Sequence, residues 1–268
     1  PTMAQPATDI GQRAQSTREV MHDTVPQPRI YRVWNVPPAG SVELDHLQVL
    51  GYLLGGARSS RLDTRLLHGD QLVDNISAAV GPSQLGSNFY IMATVKEGVD
   101  PAKVEAIIDE EIARLVAEGP TADELERART MIRAGFIRGI ERIGGFGGKA
   151  DVLAECTVYE GDPGCFRTQL ANLRSASAGD IMQAGKRWLG EGSHTIVVAP
   201  GERTALAEAP AVTPEPFNLP APDPKYSTTP STVDRSQGVP QTTEFPELKF
   251  PALQRATLSN GSAVILAE

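Results

Sequence analysis

The sequence predicts an α+β fold, a two-layer arrangement in which a mixed β-sheet carries helices packed on one face. Three observations lead to this prediction. Hydrophobic residues make up 40% of the 268 residues, which is enough to bury a substantial core. Short segments rich in β-branched and aromatic residues alternate with segments whose apolar residues recur at helical spacing. No run of about 18 apolar residues occurs that would predict a membrane-spanning helix.

Four segments have the composition of β-strands. Those at 73–80 and 88–96 flank the connection GPSQLGS, whose glycines and proline are typical of a hairpin loop. These two segments are therefore expected to pair antiparallel. The predicted strands of the sheet are residues 30–36, 73–80, 88–96 and 195–199.

Capping residues mark where the main helices begin. Ser41 offers an N-cap hydroxyl, and Asp100 precedes a proline at the first helical position. Thr121 and Glu124 have the spacing of a capping box, in which each side chain satisfies the other residue's backbone N–H. The predicted helices cover residues 41–55, 59–69, 100–119, 121–143, 150–159, 166–173 and 178–189.

The chain divides into four predicted parts. Residues 1–28 are polar and read as a lead-in linker, and residues 29–200 form the main domain. Residues 201–252 are predicted to be a proline-rich linker, because ten of the 21 prolines fall there. Residues 253–268 predict a hairpin that opens a further domain, with Asn260–Gly261 favouring a type I′ turn.

The charge balance argues against two classes of partner. The chain has 25 basic and 33 acidic residues, a formal net charge of −8. A field of this sign attracts neither nucleic acid nor an anionic membrane surface, so no nucleic-acid partner and no membrane insertion are expected. The chain begins at Pro1 without a signal-peptide pattern, which indicates a segment of a longer protein.

The residues themselves predict no catalytic site and no metal site in this segment, and they leave substrate-binding residues unknown. None of the four histidines stands four residues from another histidine or at metal-ligand spacing from a glutamate. Cys156 and Cys165 lie nine positions apart, and two interpretations stay open: a disulfide closed in an oxidising compartment, or two unrelated thiols. The histidines are His22, His46, His68 and His194.

Two further patterns have a structural and a functional interpretation. The stretch Gly55–Arg61 (GGARSSR) could cradle an anion with Arg58 and Arg61, but a helix C-cap followed by a helix N-cap is the favoured interpretation. A group of acidic side chains is predicted to lie on the solvated side of one helix rather than to form a catalytic pair. This group is Glu105, Asp109, Glu110 and Glu111.

Four stretches in this order resemble the pitrilysin and insulinase family of zinc peptidases, the inverzincins. They are VPQPRIYRVWNVP, GGARSSRLDTRLLHGDQLVDNISAAV, PTADELERARTMIRAGFI and ATLSNGSAVILAE. The resemblance spans about residues 25 to 200 and the last fifteen residues. It implies the second, zinc-free domain of the first repeat, followed by the linker between repeats and the start of the next repeat.

The resemblance also implies which functional residues this segment lacks. The family's H-x-x-E-H zinc helix does not occur in the sequence. In active members a zinc-free half supplies an arginine and a tyrosine toward the substrate, and these positions fall on Leu67 and Asp74. Arg65 lies nearby but two residues out of register, so the role is not transferred to it.

The resemblance implies a function as part of a zinc-dependent metalloendopeptidase. We expect this segment to form part of a peptide-enclosing chamber, to bind no zinc itself and to be inactive alone, with zinc held elsewhere in the parent protein. Expected partners are a peptide or unfolded protein substrate and the other domains of the parent chain. The alternative is a non-catalytic scaffold or partner subunit of the same fold. A periplasmic or secreted location is expected, with the cytoplasm as the alternative.

Overall fold

The computed structural model describes residues 10–203 and 249–267, together with scattered residues between 221 and 247. The chain falls into two compact units, Pro1–Glu208 and Ala209–Glu268. Most of the predicted proline-rich linker at 201–252 lies outside the described residues, as do residues 1–9. None of the described helices is long and apolar enough to cross a bilayer.

The first unit is built on a five-stranded mixed sheet with the order β1-β5-β2-β4-β3. β1 and β5 run parallel, and every other neighbouring pair is antiparallel. The four predicted strands are all present, and the hairpin between β3 and β4 is confirmed. The strands are β1 (Thr17–Asp23), β2 (Arg29–Val36), β3 (Val73–Gly81), β4 (Ser87–Val95) and β5 (His194–Pro200).

The fifth strand, β1, corrects the prediction that residues 1–28 are only a lead-in linker. Its seven residues TREVMHD pair in register with β5, from Thr17 opposite His194 to Asp23 opposite Pro200. The strand lies at an edge of the sheet, and most of its side chains are exposed. Because an edge strand is held by backbone hydrogen bonds, it needs no apolar run, and its sequence therefore gives no signal of burial.

The predicted capping residues begin the helices in the structure. Ser41 accepts a hydrogen bond from the Leu44 N–H, Asp100 accepts one from the Ala102 N–H, and the capping box at the start of α3 is complete. The helices are α1 (Val42–Gly55), α2 (Pro101–Glu118), α3 (Ala122–Gly139), α4 (Lys149–Glu160), α5 (Cys165–Ser175) and α6 (Ala178–Trp188).

The predicted helix at 59–69 has an unusual hydrogen-bond period. Over Asp63–Gly69 it is a π-helix, and the Asp70 N–H donates to the Arg65 carbonyl over five residues at 2.7 Å. Leu62 and Leu66 are fully buried. The apolar spacing predicted the buried face of this segment correctly, but it does not distinguish an α-helix from a π-helix.

The core lies between one face of the sheet and the helices. Along β4, every second residue from Phe89 to Val95 is buried, whereas Tyr90, Met92 and Thr94 between them are more exposed. The Phe89 ring meets the Trp34 ring edge to face, with 5.9 Å between the ring centroids. α1 packs against β3 and contacts α3, α5 and α6, so it is the central helix of the layer. This confirms the predicted α+β, two-layer fold.

The second unit contains the predicted hairpin, β6 (Leu253–Thr257) and β7 (Ala263–Ala267). Its turn differs from the predicted type I′ turn, in which both central residues have positive φ. Gly261 has a φ of +84°, but the φ of Asn260 is not positive, since Gln71 is the only non-glycine residue with positive φ among the described residues. The Gly261 N–H donates to the Leu258 carbonyl, so this is a type I turn followed by a left-handed glycine.

Candidate functional site

The candidate site lies around the π-helical segment. Arg58 and Arg61, the arginines of the alternative anion site, are found here, as is Leu67, one of the positions aligned with the family's substrate contacts. A cleft of about 810 Å³ opens between the 57–60 loop and α3, and its walls are mainly apolar. Tyr52, Leu53, Ala128 and Met131 contribute the apolar surface. The rest of the lining consists of Ala57, Arg58, Ser59, Ser60, Asp123, Glu124, Glu126, Arg127 and Thr130.

The glycines at the start of this loop are required by packing. A Cβ atom on Gly55 would come within 2.6 Å of the Ala78 backbone nitrogen, because α1 lies directly on β3 there. Gly56 follows as the C-cap of α1. Ser60 then donates its hydroxyl to the Asp63 carboxylate at 2.7 Å, and burial raises the pKa of Asp63. The favoured interpretation, a helix end followed by a helix start, is therefore confirmed.

The Arg61 side chain lies inside this site, and its charge is compensated. Its Nε and Nη2 atoms donate to the two carboxylate oxygens of Glu124 at 2.8 and 2.9 Å, and Nη2 also donates to the Gly119 carbonyl. The Arg61 guanidinium, followed by the capping-box bonds, lowers the pKa of Glu124 to about 2. Since Glu124 already neutralises Arg61, the pair of free arginines required by the anion cradle does not exist.

A second cleft, of about 460 Å³, is lined by Thr64 and Arg65 of the π-helical segment and contains a buried carboxylate. Glu111 on α2 is 1% exposed and accepts hydrogen bonds from Arg65 at 3.1 Å and Arg114 at 2.5 Å. This corrects the prediction that Glu111 belongs to the solvated side of its helix. The spacing contained the signal, because 111 follows the buried Ile108 by three residues and precedes the buried Leu115 by four.

The positions of the family's arginine and tyrosine contacts carry no equivalent chemistry here. Leu67 is half-buried, and Asp74 is exposed and accepts a hydrogen bond from the Gln27 amide. Arg65 is held by Glu110 at 2.6 Å and by Glu111, so it also presents no free guanidinium. The site therefore combines an apolar cleft with the adjacent ion pair between Arg61 and Glu124, an arrangement that suits binding.

The residues of this segment do not fit a zinc site. Across the part of the chain that the structure describes, no group of three His, Cys, Asp or Glu side chains could hold a metal ion. The histidines lie on separate elements: β1, α1, the π-helical segment and β5. His194, the first residue of β5, lies between Thr17, at 2.8 Å from its Nδ1, and Glu19, at 3.3 Å from its Nε2, both on the neighbouring edge strand β1.

A third cavity, of about 230 Å³, lies beside the two cysteines, which the structure shows as a disulfide between α4 and α5. Asp45 on α1 lines it and accepts a hydrogen bond from the Asn172 amide at 2.7 Å. Burial raises the pKa of Asp45 to about 6. No sequence motif pointed to this carboxylate, because it lies in the polar first turn of α1 and is covered only by tertiary packing.

The comparisons agree with this architecture. Residues 4–132 match the family model described as the peptidase M16 inactive domain. No curated protein sequence matches the chain. A protease from Helicobacter pylori superposes with a TM-score of 0.67 at 18% identity, and the match covers 75% of this chain and 48% of that one.

Two other solved structures extend the picture. An inactive peptidase domain from Bordetella parapertussis superposes with a TM-score of 0.58 at 20% identity, over 70% of this chain and 99% of that domain. The periplasmic protease PqqL from Escherichia coli gives a TM-score of 0.53 at 12% identity, over 70% of this chain and 21% of that protein. The chain thus spans a whole inactive domain and about half of the Helicobacter protease. The match of residues 4–132 to the peptidase M16 inactive-domain model confirms the resemblance to the pitrilysin and insulinase family.

Proposed function

We propose that this chain is the non-catalytic wall of a peptide-enclosing chamber in a zinc-dependent metalloendopeptidase whose zinc lies in another domain. The observation that carries the proposal is the match to an inactive peptidase domain, in a segment whose described residues do not fit zinc. The chain covers 48% of the Helicobacter protease. A catalytic domain outside this segment is therefore part of the proposal.

The cleft beside α3 supports a role in holding peptide. Its apolar walls suit the aliphatic and aromatic side chains that an unfolded polypeptide exposes, and its rim offers Ser59 and Thr130 hydroxyls. The ion pair between Arg61 and Glu124 fixes the two walls relative to each other. A wall held in this way presents its surface without reorganising when a peptide binds.

The proposed location is the periplasm or the outside of the cell. Two observations support it: the disulfide between Cys156 and Cys165, and the likeness to a periplasmic protease. Disulfides persist mainly in oxidising compartments. Mass spectrometry of the alkylated protein isolated from its native cells tests the location, because a reduced pair in that material would contradict it.

The test of function compares this chain with its parent protein. An unfolded, fluorogenic peptide is incubated with each in the presence of zinc and then with a chelator. We expect cleavage by the parent only, lost on chelation and restored by zinc. Chelator-sensitive cleavage by the 268-residue chain would contradict the proposal. A parent that binds peptide but never cleaves it would instead favour the non-catalytic scaffold or partner subunit.

A cleft variant tests the chamber role itself. Thr130→Trp places a large ring in the mouth of the cleft, at an exposed position on α3. In the parent we expect a higher KM with zinc content unchanged. Lys103→Trp, at an exposed position on α2, is the matched control and should leave KM unchanged. Equal KM values for the two variants would remove this cleft from the peptide path.

A further inference from the structure

One stretch of α3 has a charge opposite to that of the protein as a whole. The sequence from 127 to 138, RARTMIRAGFIR, contains four arginines and no acidic residue in a chain with a net charge of −8. Arg127, Arg133 and Arg138 are exposed. Within the described part of the chain, the side chain of none of these three forms a hydrogen bond or an ion pair. A local basic surface with no compensating partner is therefore present on an acidic protein.

Apolar side chains lie between these arginines. Met131 and Ile137 are each 47% exposed, whereas Leu125, Ala128 and Ile132 of the same helix are buried. The fourth arginine, Arg129, differs from the others, since it is half-buried and donates to the Ala176 carbonyl at 2.7 Å. We call the five exposed residues the α3 strip: Arg127, Met131, Arg133, Ile137 and Arg138.

The α3 strip is continuous with the apolar cleft. Arg127 and Met131 belong to the strip and also line the cleft, whose rim carries the exposed Arg58, a cation with no ion-pair partner among the described residues. The acidic rim residues are grouped at the start of α3, where Glu124 is bound to Arg61 and Glu126 lies 3.6 Å from Arg129. Beyond Arg127 the surface is therefore basic and apolar.

From this charge complementarity we propose that the α3 strip and its cleft bind acidic peptides that also carry apolar side chains. The carboxylates of such a peptide pair with the three free guanidiniums, while its apolar side chains cover Met131 and Ile137 and enter the cleft. Arg127 to Arg138 spans about 17 Å of helix, a length that about six residues of extended peptide can cover. The inference rests on the proposed function and names its substrate class.

The test measures binding to the intact 268-residue chain by fluorescence anisotropy, without zinc. The probe is a fluorescently labelled peptide that contains Glu and Leu residues, each separated from the next by a Ser. Two further probes replace its Glu by Lys or its Leu by Ser. We expect the Glu and Leu peptide to bind and the other two to bind at least about tenfold more weakly. Equal binding of the Lys peptide would overturn the proposal.

Matched variants locate the binding surface. Arg127→Gln with Arg133→Gln and Arg138→Gln should weaken binding of the acidic peptide about tenfold, since each exposed pair contributes only modestly. Met131→Ser with Ile137→Ser should also weaken it. The control carries the same loss of charge at exposed sites on other helices and should bind as the unmodified chain does. It combines Lys103→Gln, Arg174→Gln and Lys186→Gln.

Other anionic ligands are distinguished in the same assay. Single-stranded DNA, or vesicles containing phosphatidylglycerol, that bind more tightly than the acidic peptide would overturn the proposal in favour of that ligand. Raising the ionic strength from ~0.1 M to ~1 M shortens the Debye length from about 10 Å to about 3 Å and should weaken peptide binding. Because this assay needs no zinc, its failure leaves the proposed metallopeptidase role standing, and failure of cleavage by the parent leaves this result standing.

Discussion

The Arg61 guanidinium and the Glu124 carboxylate form a bidentate ion pair, with N–O distances of 2.8 and 2.9 Å. Glu124 is at the same time the acidic member of the capping box that begins α3, and it accepts the Thr121 N–H at 2.8 Å. One carboxylate therefore begins a helix and joins that helix to the π-helical segment.

Removing the Glu124 charge should destabilise the first unit. Glu124→Gln keeps the size of the side chain but leaves Arg61, whose side chain is 9% exposed, without a carboxylate. We expect a loss of about 1–3 kcal/mol in the free energy of unfolding, measured by urea denaturation. Glu126→Gln, on the same helix and 73% exposed, should change it by less than about 0.5 kcal/mol. Equal losses would show that the pair with Arg61 contributes nothing specific.

The same residue should give the protein a characteristic acid sensitivity. The pKa of Glu124 is lowered from 4.5 to about 2 in the folded state, so its stabilising contribution is complete above pH 4.5. That contribution should be lost as the pH falls toward 2. The difference in stability between the protein and Glu124→Gln should shrink across this window. A difference that stays constant would contradict the assigned pKa.

Asp45 should produce the opposite pH dependence. Burial raises its pKa from 3.8 to about 6, so the folded state favours the protonated carboxyl. The contribution of this protonated group to the stability of the fold is complete below pH 3.8 and is lost as the pH rises through 6. Asp45→Asn keeps an oxygen acceptor for the Asn172 amide without the charge. We expect this variant to gain about 1–3 kcal/mol at about pH 7 and little at about pH 4. Asp123→Asn, at an exposed position, is the control.

Glu111 should be far more sensitive to substitution than its neighbour. Glu111→Gln leaves Arg65 and Arg114 facing a neutral amide and should lower the free energy of unfolding by about 3 kcal/mol. Glu110 also pairs with Arg65 but is 60% exposed, so Glu110→Gln should lower it by less than about 1 kcal/mol. Thermal denaturation of the two variants gives the comparison. A larger effect at 110 than at 111 would contradict the burial assignment.

The disulfide should stabilise the connection between α4 and α5. Cys156→Ser with Cys165→Ser opens a loop with a sequence separation of nine residues, for which the loss of chain-closure entropy predicts a cost of about 2–3 kcal/mol. The measurement is urea unfolding of this variant beside the oxidised protein. A reducing agent should lower the stability of the unmodified protein by a similar amount and leave the serine variant unchanged. An effect on both would mean that the reductant acts elsewhere.

Local signals in the sequence predicted the parts of the fold that depend on few residues. The hydrogen bonds of the Thr121 capping box and of the Asp100 N-cap join residues at most three positions apart, so the neighbouring residues in the sequence suffice to predict them. β1 could not be found in this way, because it pairs with a strand far away in the sequence. Thr17 of β1 lies opposite His194 of β5, 177 positions later. The side-chain pattern of an exposed edge strand also carries no record of that pairing.

The candidate site shows the same division. The sequence identified the loop at 55–61 and indicated its structural role, since glycine and serine have strong local preferences. It did not show that Arg61 pairs with Glu124, 63 positions away, or that Asp45 is buried against Asn172. Those facts follow from helix packing, which brings together residues whose spacing along the chain is arbitrary. The charge state of the site was therefore beyond the reach of sequence alone.

The parallel pairing of β1 with β5 has a practical consequence for dissecting the protein. A fragment that begins at Arg29 keeps the whole main domain predicted from the sequence but lacks β1. It therefore exposes the backbone edge of β5 that β1 covers. Such an edge recruits strands from other molecules, so this truncation should aggregate where a fragment beginning at Ile10 stays monodisperse. The smallest fragment that we expect to fold without aggregating therefore includes β1 and begins upstream of Thr17.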